Sequence, residues 1–250
     1  MSDNWNFYFC RVDDKPASIF LDLDIEHHAP ISDLAHMSYV RLRMNAPRPD
    51  GFSSQEESET LNAIEDVLSA GLTADGSTRY VGRNTSDGWR DFYFYAAGAG
   101  DWQARVSRLM APYQDYKFET GSRPDAEWKT YFEFLRPTPV DRRRIENRRV
   151  CFNLKKHGDS LTQAREIGHC AYFSTEQARS TFVARAAELG YQLKQVADLD
   201  KSDRRYRVEL SRVDIPSLKS IDGITLPLYT LARELGGDYD GWGTVVIKAP

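Results

Sequence analysis

The sequence predicts an α+β protein of two domains, each an antiparallel sheet with helices laid over one face. Three observations carry this. Short stretches in which apolar and polar residues alternate recur along the whole chain, the period of a half-buried strand. Between them lie longer segments with an apolar stripe at about 3.6-residue spacing, preceded by cap residues. A proline pair, Pro137 and Pro139, falls where the first set of elements is complete, so the chain reads as domains 1–136 and 137–250.

In the first domain, Trp5 to Val12 is an aromatic-rich strand, and Asp13-Asp14-Lys15-Pro16 is a turn. Ile19, Leu21, Leu23 and Ile25 alternate with Phe20, Asp22, Asp24 and Glu26, so the hairpin's second strand is expected to run to Ile25. Met37 to Asn45 alternates again. Ser53 and Glu56 have capping-box spacing before a helix with Leu61, Ile64, Val67 and Leu68 inward, ending near Gly71. Strands at Thr78–Arg83 and Trp89–Tyr95 flank a Ser86-Asp87-Gly88 turn. Asp101 caps a helix that Pro112 stops, a strand runs from Tyr116 to Glu119, and a short helix covers Asp125 to Leu135. Without the first hairpin the order is β-α-β-β-α-β, the split βαβ or ferredoxin-like arrangement.

The second domain repeats that order behind one extra helix, from about Val140 to His157 and closed by Gly158. A strand spans Arg165 to Phe173. Ser174 and Gln177 cap a helix with Phe182, Val183 and Ala186 inward. Tyr191–Val196 is a strand, Asp198–Asp203 a polar turn, and Tyr206, Val208 and Leu210 mark the next strand. A helix runs from Ile221 to Leu235, where Pro227 fits only a first turn. Gly236 and Gly237 close it, Asp240-Gly241 makes an acidic turn, and Thr244–Lys248 reads as a central strand because both of its parities are apolar.

Composition narrows the function. Apolar residues make up 41% and charged residues 28%, ordinary for a folded chain. A net charge of -4 argues against a broad grip on nucleic acid or an anionic membrane. The three cysteines, Cys10, Cys151 and Cys170, are widely spaced with no Cys-x-x-Cys, which argues against a zinc site or disulfide framework. With no signal-peptide pattern and no apolar run of about 20 residues, the expectation is a cytoplasmic protein. Phosphate-loop, dinucleotide, Gly-x-Ser-x-Gly and His-Glu-x-x-His patterns are missing, so no cofactor is expected.

Gly158-Asp159, Arg165-Glu166-Ile167-Gly168-His169 leading to Tyr172-Phe173, and Gly236-Gly237-Asp238-Tyr239-Asp240-Gly241-Trp242 occur in that order. Through them the second half resembles the bacterial regulators of ribonuclease E activity, B type. The resemblance implies a ferredoxin-like domain that inhibits ribonuclease E by binding it and has no nuclease activity of its own. The first half, through Trp5-Asn6-Phe7-Tyr8 and the Asp22/Asp24 strand, resembles a bacterial domain of unknown function often found ahead of that module.

Four sets of residues are candidates for chemistry. Asp238, Tyr239, Asp240 and Trp242 combine charge and aromatic area, the make-up of an interface anchor for a basic partner segment; a helix stop with Trp242 in the core is the equal alternative. Arg142, Arg143, Arg144, Arg148 and Arg149 could track phosphates from one helix, but Asp141 and Glu146 interleave with them, so a solvated face is the plainer reading. Asp22, Asp24, Glu26 and His28 share a strand parity and could bind a divalent metal, as a metal-dependent hydrolase would require. Acids on a wet hairpin face are the plainer reading there. His169 shares parity with Ile167 and Phe173, which favours a buried histidine bonded to backbone over a general base. The reading is a non-catalytic, protein-binding regulator; a direct RNA binder on an open sheet, with Tyr172 or Tyr206 exposed for stacking, is an alternative.

Overall fold

The computed structural model describes residues 4–200 and 204–248, and the chain divides into two compact units, Met1–Asp141 and Arg142–Pro250. The first contains β1 (Trp5–Val12), β2 (Lys15–Asp22), β3 (His36–Arg43), α1 (Gln55–Thr73), β4 (Thr78–Ser86), β5 (Trp89–Ala96), α2 (Trp102–Met110) and β6 (Phe118–Pro124). Its sheet has the order β1-β2-β4-β5-β3-β6, all neighbours antiparallel. The run β4-β5-β3-β6 is the split βαβ arrangement, and the hairpin β1-β2 widens it at the β4 edge.

Helices α1 and α2 pack Leu61, Ile64, Leu68, Trp102 and Val106 onto Val40, Leu42, Phe92 and Phe94. Side chains one residue away along β5 point to the opposite face, and that face is covered too. Tyr95 stacks flat on Trp128, with centroids 3.8 Å apart and planes 6° apart. A π-helical segment, Thr130–Leu135, comes next in the chain. Its Tyr131 hydroxyl donates to the Asp22 carbonyl at 2.8 Å, and the Tyr8 hydroxyl donates to the Leu135 carbonyl at 2.9 Å. The Asp125 carboxylate starts this segment by accepting the Lys129 and Thr130 amides at 2.8 and 3.0 Å and the Tyr95 hydroxyl at 2.6 Å.

Several local expectations shift. The cap of α1 is Ser54, which accepts the Glu57 amide at 3.3 Å, not Ser53; the Glu57 carboxylate is drawn away to the Asn45 and Ala46 amides at 2.6 and 2.8 Å. The helix continues past Gly71 to Thr73. A Cβ at Gly71 would lie 2.6 Å from Leu109 Cδ2, so this glycine marks close helix contact, not a helix end. The strand ends at Asp22, and residues 24–27 form a 3-10 turn that buries Ile25.

The second unit contains most of α3 (Pro139–Lys156), then β7 (Arg165–Phe173), α4 (Glu176–Glu188), β8 (Gln192–Asp198), β9 (Tyr206–Asp214), α5 (Ile221–Glu234) and β10 (Asp238–Gly243). Its sheet order is β10-β7-β9-β8, again split βαβ and antiparallel. Thr175, not Ser174, caps α4, accepting the Ala178 amide at 3.2 Å. Of the expected turn Asp198–Asp203, residues 201–203 lie outside the described residues. Pro227 sits in the interior of α5, not its first turn. An interior proline costs about 3 kcal/mol, which burial of Ile221, Ile224, Leu228 and Leu231 offsets.

The chain's end departs most from the pattern. The last strand is Asp238–Gly243 itself, and it lies at the sheet's edge. Thr244–Lys248 is not a core strand: Val245 is 69% exposed, and the segment's ladder pairing among the described residues is one isolated bridge, Asp159 to Lys248. Gly236, at φ +69°, ends α5 at once. A Cβ at Gly237 would lie 2.3 Å from the Phe173 ring, so this glycine lets the chain pass directly into pairing with β7.

Candidate partner-binding surface

Alternate residues of β7 and β9 divide the second sheet into two unlike faces. Ile167, His169, Ala171, Phe173, Val208 and Leu210 are buried on the helix side. Glu166 and Gly168 are exposed, and Cys170, Tyr172, Arg207 and Glu209 half-buried, on the other. Next to β10 this second face forms a shallow groove of about 700 Å³, floored by Gly168, Ser211 and Gly243 and rimmed by Glu166, Lys194, Glu209 and Asp240. Lys194 pairs with Glu166, Arg207 with Glu209, and Arg204 with Asp238.

A β-bulge between Tyr239 and Gly241, with Gly241 at φ +127°, breaks the alternation of β10. It turns Tyr239 and Trp242 toward the helices while Asp240 stays exposed. Tyr239 is 1% exposed. Its hydroxyl lies 2.8 Å from His169 Nδ1, and its carbonyl accepts the Arg143 guanidinium at 2.8 Å. Trp242 Nε1 donates to Asn147 Oδ1 at 2.9 Å, and Asn147 Nδ2 donates to Asp222 and Thr225 at 2.8 and 2.7 Å. Of the four expected partner-binding residues, then, Tyr239 and Trp242 hold the edge strand to the helices, Asp238 pairs with Arg204, and Asp240 is exposed.

The arginines do not share one helical face. Arg143 sits between the Tyr229 and Tyr239 rings, 5.2 and 5.3 Å from their centroids, and pairs with Glu146 at 2.7 Å. Arg144 approaches Asp222 at 3.8 Å; Arg142 and Arg148 are half-buried, and Arg149 is exposed. Successive helical positions turn by about 100°, so 142 to 144 fan out and Arg143 is taken into the fold. The set Asp22, Asp24, Glu26 and His28 is also split. Asp22 is 2% exposed and accepts the Asp24 amide at 3.0 Å, Asp24 accepts Asn4 Nδ2 at 2.8 Å, and His28 is exposed beyond the 3-10 turn. Among the described residues no group of three or more His, Cys, Asp or Glu side chains is placed to hold a metal ion.

His169 is buried as expected, but its partner is the Tyr239 hydroxyl, not backbone. Burial, helped by the nearby Arg212 charge, lowers its pKa from 6.5 to about 4, so it is neutral at pH 7. Tyr206 shares the inner parity and lies under Arg179, 5.1 Å from its ring centroid, so it is not an open-face stacking platform; Tyr172 is on the open face, with Arg204 over its ring at 5.5 Å. The sequence reading missed one pair. Arg165 and Asp159 form a buried, two-pronged ion pair. Arg165 also donates to the Val245 carbonyl at 3.0 Å, and Asp159 accepts the Ile247 amide at 2.9 Å, which pins the segment after β10. The signal was present: Arg165 lies on the inner parity with Ile167, and an inward guanidinium needs a carboxylate.

Comparison with known proteins reproduces the same division. The model of the "Family of unknown function (DUF695)" matches residues 3–136, more than half of the chain. The chain belongs to that family. The model of "Regulator of ribonuclease activity B" matches residues 144–244, within the second unit. No curated protein matches. Among solved structures, an unknown protein from Galdieria sulphuraria aligns over 85% of this DUF695 chain and 99% of its own, at 13% identity and a TM-score of 0.24. A putative glycine cleavage system transcriptional repressor aligns over 84% and 98%, at 11% identity and a TM-score of 0.23. Scores this low carry no argument about either unit. No helix among the described residues is long and apolar enough to cross a membrane.

Proposed function

We propose that this DUF695 protein is a non-catalytic regulator that binds a ribonuclease, with ribonuclease E the first candidate, through its second unit. The match of residues 144–244 to the ribonuclease-regulator family carries the reading. The docking surface is the open face of the second sheet beside β10, where the exposed, bulged Asp240, and Asp238 by exchanging its Arg204 partner, offer carboxylates to a basic segment of the partner. Tyr239 and Trp242 support that surface from behind. Their substitution acts through the fold, whereas substitution of the two aspartates acts through binding.

The test is cleavage of a defined RNA by purified ribonuclease E with added full-length chain, alongside direct titration of the two proteins. The chain is expected to slow cleavage and to bind, and Asp238→Ala/Asp240→Ala to weaken binding about tenfold or more with an unchanged melting temperature. No effect on the nuclease at excess chain, or RNA cleavage by the chain alone, would refute the proposal.

A further inference from the structure

The first unit carries a cleft that regulation by the second unit does not use. It arises from the width of the sheet. A split βαβ unit supplies two helices for four strands. Here the hairpin β1-β2 adds two more, which at about 4.8 Å per strand extends the helix-side face beyond α1. The uncovered ledge is a cleft of about 700 Å³ with aromatic rings for a floor and α1 for a wall. This volume is in the range of sites that take small organic ligands.

The floor continues the aromatic row of the core. Phe94 meets Tyr80 at 4.9 Å between centroids, Tyr80 meets Trp5 at 5.2 Å, and Trp5 meets Phe20 at 5.0 Å. The last two contacts are near-parallel, at 24° and 28°, so half-buried Trp5 lies flat at the open end of the row. The wall supplies acceptors: exposed Asp66 and, deeper, Glu65, which accepts the Tyr80 hydroxyl at 2.8 Å. Thr78 also lines the cleft; it is 5% exposed, and its buried hydroxyl has no hydrogen-bond partner among the described residues. A buried hydroxyl left unpaired is a cost that a ligand atom removes.

Charge decides the ligand class. Rings beside carboxylates would suit a cation, but the protein has placed its own there. Arg83 lies 4.6 Å from the Phe20 centroid and pairs with Glu65, and Arg79 also lines the cleft. Of the lining carboxylates, Asp22 accepts the Asp24 amide and Glu65 is taken by Tyr80 and Arg83, so a second cation would meet Arg83 with Asp66 alone to balance it. The arrangement suits a neutral ring with N–H donors at its edge. We propose that the cleft binds a neutral, flat nitrogen heteroaromatic bearing an exocyclic amino group, the chemistry of an amino-nucleobase, stacked on Trp5 and hydrogen-bonded by Asp66 and Thr78.

The test is calorimetric titration of the full chain with adenosine, guanosine and cytidine, with uridine and N-acetylarginine amide as the contrasting probes. At least one amino-bearing nucleoside is expected to saturate, with uridine about tenfold weaker because it puts a carbonyl where the others carry an amino group and so leaves one acceptor unpaired. Trp5→Ala is expected to weaken binding about tenfold or more. Since Trp5 also packs in the fold, Asp66→Asn and the near-isosteric Thr78→Val serve as second variants, each expected to weaken binding several-fold with the melting temperature of Asp66→Asn unchanged. No saturation by any nucleoside up to about 1 mM, uridine binding equal to the others, or tighter binding of the arginine amide would each overturn the proposal. Effects on ribonuclease are read separately, so failure here leaves the regulatory reading standing, and the reverse.

Discussion

The two units share strand order and handle their sheets differently. The first extends the split βαβ core to six strands and covers both faces, one with α1 and α2, the other with the Trp128–Leu135 segment. The second keeps four strands and leaves one face to solvent among the elements of its own unit. A face covered by a stacked tryptophan is a packing surface; one carrying Glu166, Tyr172, Arg207 and Glu209 beside a glycine floor is open to recognition. One arrangement of elements thus carries two kinds of sheet face, set by the segment attached to the last strand of the split βαβ set. In the first unit that segment is aromatic and folds back over the sheet. In the second, residues 244–248 follow the strand and are held by Arg165 and Asp159.

The comparison can be broken at its strongest points. Trp128→Ala should remove the second layer of the first unit at a cost of about 4 kcal/mol. Hydrogen exchange should show β4 and β5 losing protection while β7 and β9 keep theirs; equal loss in both units would mean that the layers do not differ as described. Arg165→Met should cost the second unit about 3 kcal/mol, because it leaves the buried Asp159 carboxylate unpaired and frees the tail. Urea denaturation measures this, and an effect below about 1 kcal/mol would remove the pair from its structural role.

The smallest expected effect has opposite sign in the two units. His169 titrates at 6.5 when unfolded and at about 4 when folded. The unfolded state takes up the proton first, so stability is complete above pH 6.5 and is lost as pH falls toward 4, by about 2 kcal/mol at pH 5. Asp91 is half-buried, and the loss of solvent pushes its pKa up from 3.8 to about 6, with Arg41 only partly offsetting it. The folded state takes up that proton first, so the first unit gains about 1 kcal/mol as pH falls from 7 to 5. Acidification should therefore destabilise the second unit relative to the first, read as diverging exchange protection. His169→Gln and Asp91→Asn should each flatten one side of the divergence.

Much of the fold was legible from residue spacing. β1 and β7 fall where alternation puts them, and both units have the expected split βαβ order. The helix caps were displaced by one residue at Ser54 and Thr175, where a neighbouring hydroxyl offered the same bond. The candidate sites were less legible. Asp22 to His28 share a parity only while the chain stays extended, and the 3-10 turn that buries Ile25 ends that. Tyr239 and Trp242 have opposite parity, yet both face inward because one bulge residue is inserted between them. The cleft above Trp5 had no linear signature, since its residues come from β1, β2, α1 and β4.

The sequence alone determined the elements and their order, because alternation, helical stripes and caps depend on neighbours within a few residues. It also carried the family motifs. Only the tertiary structure decided which motif residues are spent on holding β10 in place, which sheet face stays open, and where the widened sheet outruns its helices. Those outcomes depend on contacts between residues far apart in the chain, such as Trp242 with Asn147, Arg165 with Val245 and Trp5 with Tyr80, which local spacing does not encode.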